Sequence, residues 1–116
     1  MHRALPGILA GGVVGSVLRW AIGEIDWSAS TTLLVVNTLG CAVLGGVTAT
    51  WPERTHSKRL AFGVGLCGGL TTFSGLAVRL ADHLDRGAPA DALWLLTSSL
   101  GLGALAFVGV RMAVAR

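Results

Sequence analysis

The sequence predicts an all-α membrane protein in which four helices cross the bilayer and the third helix is interrupted. The 116 residues are 53% hydrophobic and only 13% charged, whereas soluble domains carry about a quarter charged residues. Four apolar segments are each about 20 residues long, which is the length that crosses the hydrocarbon core as a helix. A run of glycine, threonine and serine lies in the middle of the third segment and predicts the interruption.

The predicted spans comprise residues 4–23, 31–51, 60–81 and 92–114 of a single domain, residues 1–116. The formal net charge of +3 comes from nine basic and six acidic residues, and the basic residues lie near the ends of the spans. Basic residues in these places face lipid headgroups. Membrane lipid is therefore a predicted partner, and nucleic acid is not.

The first span carries glycines at intervals of four, at Gly7, Gly11 and Gly15. Small residues at this spacing let two helix backbones approach closely, which fits packing within one subunit and contact between two subunits equally well. Arg19 follows near the end of the span. Its guanidinium either reaches for the headgroups or forms a vestibule cation that anchors helix ends.

The second span carries one amide side chain, Asn37, which can both donate and accept hydrogen bonds. It either joins two helices, as polar side chains do in membranes, or presents its N–H groups to an anion. The residue type alone favours the first interpretation and leaves the second open.

The third span contains the sequence GGLTTFS at residues 68–74. Two glycines followed by two threonines, a phenylalanine and a serine favour a helix that unwinds for a turn and offers its carbonyl and hydroxyl groups to an ion. Hydroxyl side chains form two clusters, namely Thr71, Thr72 and Ser74 in the third span and Thr97, Ser98 and Ser99 in the fourth. Such hydroxyls either bond back to their own helix or form a row of donors for a dehydrating anion.

No predicted span has an Asp, Glu, Lys or His in its middle. Proton-coupled exporters depend on an intramembrane carboxylate, so a small multidrug-type exporter is a weak alternative. The sequence also lacks a nucleophile paired with a base, a phosphate loop and a cluster of metal-ligating His and Cys residues. The sequence therefore predicts that the protein is not an enzyme.

The basic residues are distributed unequally between the two faces of a four-span topology. One face carries Arg3, Arg54, Lys58, Arg59, Arg111 and Arg116, and the other carries Arg19, Arg79 and Arg86. Because basic residues favour the cytoplasmic side, both termini are expected in the cytoplasm.

Three motifs make the chain similar to the Fluc/CrcB family of fluoride channels, over essentially its whole length. Residues 11–20 (GGVVGSVLRW) resemble the family's glycine-rich run that ends in arginine and an aromatic residue. The second span has Asn37, Gly40 and Gly45 in the family's Val-Asn-x-x-Gly-x-x-x-x-Gly pattern. Residues 68–74 match the family's most specific string.

The resemblance implies a fluoride-selective channel that lowers cytoplasmic fluoride by passive efflux across the bacterial plasma membrane. It implies an antiparallel dimer with a structural sodium ion that is not transported, held by the backbone carbonyls of Gly68 and Thr71. It further implies a vestibule or structural role for Arg19. The fluoride pathway that it implies comprises Asn37, Thr72, Phe73, Ser74, Thr97 and Ser98.

The chain departs from the family's Thr-Thr-Phe-Ser-Thr-Phe string at Gly75 and Leu76. Leu76 lacks the aromatic edge that can face an anion, and Gly75 lacks a hydroxyl. The oppositely oriented second subunit is therefore either a copy of this chain or a paralogue. A non-conducting or half-functional subunit of a heterodimeric channel remains the alternative function.

Overall fold

The computed structural model describes residues 3–116, and these residues form helices joined by turns and short links. Four helical stretches are long and apolar enough to cross a membrane, namely Leu5–Gly23, Ala29–Thr50, Ser57–Asp85 and Pro89–Val114. The predicted all-α fold with four spans is thereby confirmed. The longest dimension of the chain, 48 Å, is sufficient for a bilayer of about 40–45 Å including its headgroups.

The third of these stretches is divided, so five helices result. In chain order they are α1 (Leu5–Gly23), α2 (Ala29–Thr50), α3 (residues 57–70), α4 (Phe73–Asp85) and α5 (Pro89–Val114). The helix α2 begins two residues before its predicted span because Ser28 caps it and accepts a hydrogen bond from the Thr31 N–H at 3.1 Å. The helix α5 begins at Pro89, since proline is favoured in the first turn of a helix.

Most of α3 is a π-helix, which covers Leu60–Cys67 between short α-helical turns at Ser57–Arg59 and Gly68–Leu70. Stretches of π-helix are rare and are frequently found near functional sites. Here the π-helical stretch leads directly into the interruption of the third span.

Glycines bring α1 and α3 into backbone-to-backbone contact. A β-carbon on Gly11 or Gly15 of α1 would overlap the backbone of α3, and one on Gly65 or Gly69 of α3 would overlap the backbone of α1. Gly7 completes the row, because a β-carbon there would lie 3.1 Å from that of Ala61. The glycines of the first span therefore serve packing within one subunit.

Further contacts join α2 and α4 to α5. Gly45 of α2 lies against the backbone of Phe107, and Leu33, Leu76 and Leu95 form a small buried cluster between the three helices. Buried residues make up only 6% to 28% of the most apolar part of each span. Most of the apolar surface is thus left for lipid or for a second subunit.

Candidate functional site

The third span is interrupted at Thr71 and Thr72, as the sequence predicts. Both residues have extended backbones, with φ −84° and ψ 157° at Thr71 and φ −146° and ψ 115° at Thr72. The Thr71 hydroxyl donates to the Cys67 carbonyl at 2.9 Å. The Thr72 hydroxyl caps α4 by accepting from the Gly75 N–H at 3.0 Å, which is the usual role of threonine at a helix start. The two threonines therefore end one helix and begin the next.

Asn37 of α2 pairs with both backbone polar groups of Thr72. Its Nδ2 donates to the Thr72 carbonyl at 3.2 Å, and its Oδ1 accepts from the Thr72 N–H at 2.8 Å. An unsatisfied backbone group in hydrocarbon costs several kcal/mol, so this pairing makes an extended residue tolerable there. Because an amide nitrogen carries two N–H donors, one of them is not used by this pairing.

Gly40 lies one helical turn after Asn37 and accommodates the side chain of Thr71. The Thr71 methyl group fills the position that a β-carbon on Gly40 would occupy. Residues three apart share a helix face, so Asn37 and Gly40 together receive the two extended residues. The sequence indicated Gly40 only as part of a family motif. Its spacing of three residues from Asn37 could have predicted that the two residues share a helix face and a role.

Arg19 of α1 donates from Nη1 to the Thr71 carbonyl at 3.1 Å, in a partly buried position. The guanidinium thus contacts the interruption itself. Arginines at membrane depth characteristically pair with backbone carbonyls or acidic side chains. The sequence indicated that Arg19 could anchor helix ends, but it did not indicate which carbonyl the side chain would reach.

The carbonyl of Gly68 is released by the interruption. In a continuous α-helix the Thr72 N–H would bond to it, but that N–H donates to Asn37 instead. Gly68 is exposed, and among the described residues no atom outside its own stretch of backbone lies within 4 Å of a β-carbon placed on it. A carbonyl oxygen also has two lone pairs, so the Thr71 carbonyl can accept a second partner beside Arg19. Two backbone oxygens three residues apart can therefore serve a hard cation, which prefers oxygen ligands.

An open groove of about 360 Å³ runs between α2, α3 and α4 along the interruption. It brings together five of the residues that the sequence analysis singled out, namely Asn37, Gly68, Thr71, Thr72 and Phe73. Phe73 projects outward with 82% of its surface exposed. The groove therefore brings the amide of Asn37 and the ring of Phe73 together with the interrupted backbone of the third span.

The remaining hydroxyl candidates do not line this groove. Ser74 shares a hydrogen bond with the Thr72 hydroxyl at 3.2 Å. Thr97 donates to carbonyls of its own helix, at 2.8 Å to Leu93 and 3.2 Å to Trp94. In α5 the buried hydroxyl is that of Ser99 rather than that of Ser98, and it has no hydrogen-bond partner within residues 3–116.

The two departures from the family's string are explained by packing. Leu76 is only 5% exposed and belongs to the cluster with Leu33 and Leu95. A β-carbon on Gly75 would lie 3.0 Å from Leu33 Cδ1 and 2.9 Å from the Thr72 methyl group. Glycine at 75 and leucine at 76 therefore let α4 pack closely on α2.

The groove continues toward a basic end. A second hollow of about 420 Å³ shares Leu44 and Gly63 with the first and is also lined by Thr48, Arg54 and Arg59. Arg59 donates to the Trp51 carbonyl at 3.2 Å and so holds the end of α2, whereas Arg54 is exposed. Positive charge at the mouth of a cleft raises the local concentration of anions.

The sequence matches the family described as CrcB-like protein, Camphor Resistance (CrcB), over residues 7–110. A fluoride-specific ion channel FluC from Pectobacterium atrosepticum is 37% identical over 92% of this chain and 93% of the relative. A FluC 2 from a Synechococcus species is 39% identical over 81% of this chain and 67% of the relative. A FluC 1 from Yersinia pseudotuberculosis is 34% identical over 93% and 94% of the two chains. The matched residues include the interruption and the whole groove.

Proposed function

Because the chain belongs to the CrcB family, we propose that it is a subunit of a fluoride-selective ion channel that lowers cytoplasmic fluoride by passive efflux. Relatives that align over most of their length are named fluoride-specific ion channels. Membership in this family confirms the expectation that the chain is not an enzyme. The four apolar helices make it a multi-pass membrane protein.

The groove beside the interruption is the observation that carries this proposal. Fluoride is small and strongly hydrated, so a pore must replace the lost water with donors. The second amide N–H of Asn37 is such a donor, and the exposed Phe73 offers the positive edge of its ring. Thr72 lines the groove, and its hydroxyl shares a hydrogen bond with that of Ser74, which lies just outside the groove. Thr97 and Ser98 lie outside the groove, so they would meet the anion at a different point of its path.

A sodium ion that is structural and not transported fits the donor set at the interruption. The Gly68 and Thr71 carbonyls would hold it, since both are oxygen ligands and each has a free lone pair. The ion would supply a fixed positive charge near the groove, which favours an anion there. Arg19 contacts the Thr71 carbonyl directly, and Asn37 holds the backbone of the adjacent Thr72 and so keeps its N–H away from the Gly68 carbonyl.

The groove also favours a second subunit in the opposite orientation. One subunit leaves the groove open and Phe73 82% exposed, so the anion path needs another wall. That subunit is either a copy of this chain or a paralogue, and the numbered names of two relatives are in keeping with a paralogue. In the major orientation we place both termini in the cytoplasm of a bacterial cell, following the excess of basic residues on that face.

A fluoride-release assay tests this function. Proteoliposomes that contain the wild-type chain and are loaded with potassium fluoride should release fluoride to an electrode when valinomycin is added. Asn37→Ala should slow the release about tenfold or more, because a hydrogen bond to an ion contributes about 1.5–3 kcal/mol. Thr50→Ala is the matched control, since the hydrogen bond of the Thr50 hydroxyl within the described residues goes to the Gly46 carbonyl of the same helix.

The same assay separates the alternative function. The buried Leu76, where the family has a second phenylalanine, favours a non-conducting or half-functional subunit that completes a partner's channel. In that case the chain alone should release no fluoride, and mixed vesicles with a paralogue should release it. No release from either preparation would contradict both functions.

A further inference from the structure

Within residues 3–116, Arg19 is a charged side chain without an acidic partner. The ion pairs in residues 3–116 join Arg79 and Arg86 to Asp82, and the hydrogen bond of Arg19 goes to the Thr71 carbonyl. A guanidinium is always charged, so a permanent positive charge touches one of the two oxygens that would hold sodium.

We propose that Arg19 is a tethered cation that shares the Thr71 carbonyl with the sodium ion and lowers the affinity of the site for that ion. This inference rests on the proposed sodium site and concerns its affinity, not fluoride release. When sodium is absent, the guanidinium still gives the Thr71 carbonyl a partner and keeps the interruption extended. Arg19 is thus a positioning residue whose charge also opposes the ion.

Two physical effects act in the same direction. Like charges on neighbouring partners of one oxygen repel each other strongly in a partly buried position, because solvent screens them poorly. The hydrogen bond from Arg19 also occupies one of the two lone pairs of the Thr71 oxygen. A variant with a neutral residue at position 19 should therefore bind sodium more tightly. Without sodium, the same variant lacks a hydrogen bond to a backbone group at membrane depth and should be less stable than wild type.

The test is thermal unfolding of the detergent-solubilised chain over a series of sodium concentrations. The variants are purified in high sodium, and ionic strength is kept constant with N-methylglucamine chloride. Arg19→Gln should unfold at a lower temperature than wild type without sodium, and its half-maximal sodium concentration should fall about tenfold or more, as expected for removal of one nearby charge. Arg19→Lys keeps the charge and should keep the wild-type midpoint.

Two further measurements make the test specific. Arg79→Gln removes an arginine from the same membrane protein at a site paired with Asp82, and its sodium midpoint should equal that of wild type. Methylguanidinium added to Arg19→Ala should stabilise the sodium-free protein and raise the sodium midpoint toward the wild-type value.

Several outcomes would overturn the proposal. A purely structural Arg19 would make Arg19→Gln less stable by the same amount at every sodium concentration, with an unchanged midpoint. Failure of the Arg19 variants to fold even in high sodium would show that the ion cannot replace the guanidinium. A wild-type unfolding temperature that does not change with sodium concentration would also contradict the proposal. Fluoride release measured in parallel would then show whether the proposed channel function still holds.

Discussion

The contact between α1 and α3 and the interruption of the third span are neighbours in the fold, yet they hold the backbone in opposite ways. At the contact, glycines such as Gly15 and Gly69 let two regular backbones touch with no side chain between them. At the interruption, the backbone leaves helical geometry and side chains complete its hydrogen bonds. Asn37 binds Thr72, and Arg19 binds the carbonyl one residue before it.

The difference follows from the bilayer as a solvent. A helix satisfies the hydrogen bonds of its own N–H and C=O groups, so a helix face made of glycine is still stable in hydrocarbon. An extended residue has no such internal partners and needs donors and acceptors from other helices. An added atom should therefore be costly at the glycine contact, and the loss of a polar contact from another helix should be costly at the interruption.

The largest effect is expected where a single methyl group is added to the glycine contact. Gly15→Ala places a β-carbon against the Leu66 carbonyl and 2.8 Å from the Leu70 nitrogen, so the two backbones must separate. We expect a loss of about 3 kcal/mol or more, at the upper end of overpacking costs. Thermal unfolding and size-exclusion chromatography in detergent measure the loss.

Gly101→Ala is the control for this change, because in residues 3–116 no atom outside the surrounding backbone of α5 lies within 4 Å of a β-carbon on that glycine. It should match or slightly exceed wild-type stability, since alanine is favoured over glycine in a helix by about 1 kcal/mol. Equal stability of the Gly15 and Gly101 variants would contradict the close contact between α1 and α3.

An intermediate effect is expected where the two kinds of region meet, at Gly40. This glycine belongs to α2, but the side chain it accommodates is that of Thr71 in the interruption. Gly40→Ala should cost about 1–3 kcal/mol by overpacking. Adding Thr71→Ser removes the methyl group that the alanine would strike and keeps the hydroxyl that bonds to Cys67.

The double variant should therefore recover most of the loss, and a double-mutant cycle from thermal unfolding measures the recovery. Thr71→Ser alone supplies the fourth corner of the cycle and should cost little. Additive losses in the double variant would show that the Thr71 methyl group does not lie against Gly40.

The regular part of this molecule was predictable because hydropathy and length decide it. Four apolar segments are long enough to cross a bilayer. The glycines and threonines of residues 68–74 disfavour a continuous lipid-facing helix. The interruption could thus be located within its span before any contact was known. The π-helix of Leu60–Cys67 was not predicted, because hydropathy records that a segment is apolar and not whether its hydrogen bonds span four or five residues.

The contacts between spans were less predictable, because a sequence records how often polar residues recur along one helix but not how helices are rotated against each other. Asn37 was expected to join helices or to face an anion, and its partner Thr72 emerged only from the packing of α2 on the interruption. The fourth span shows the same limit. Three consecutive hydroxyl residues face three directions of one helix, and packing buries Ser99 instead of Ser98.

The smallest effect is expected at the cap of α4, where a side chain of the interruption accepts a hydrogen bond from the backbone of the adjoining helix. Thr72→Ala removes the oxygen that accepts from the Gly75 N–H at 3.0 Å, and loss of such a cap typically costs about 1 kcal/mol. The Asn37 pairing uses only the backbone of Thr72, so it should persist in this variant. Thr72→Ser keeps the hydroxyl and should unfold close to the wild-type temperature. If alanine and serine destabilise the chain equally, the cap contributes nothing, and the interruption depends on contacts from the neighbouring helices alone.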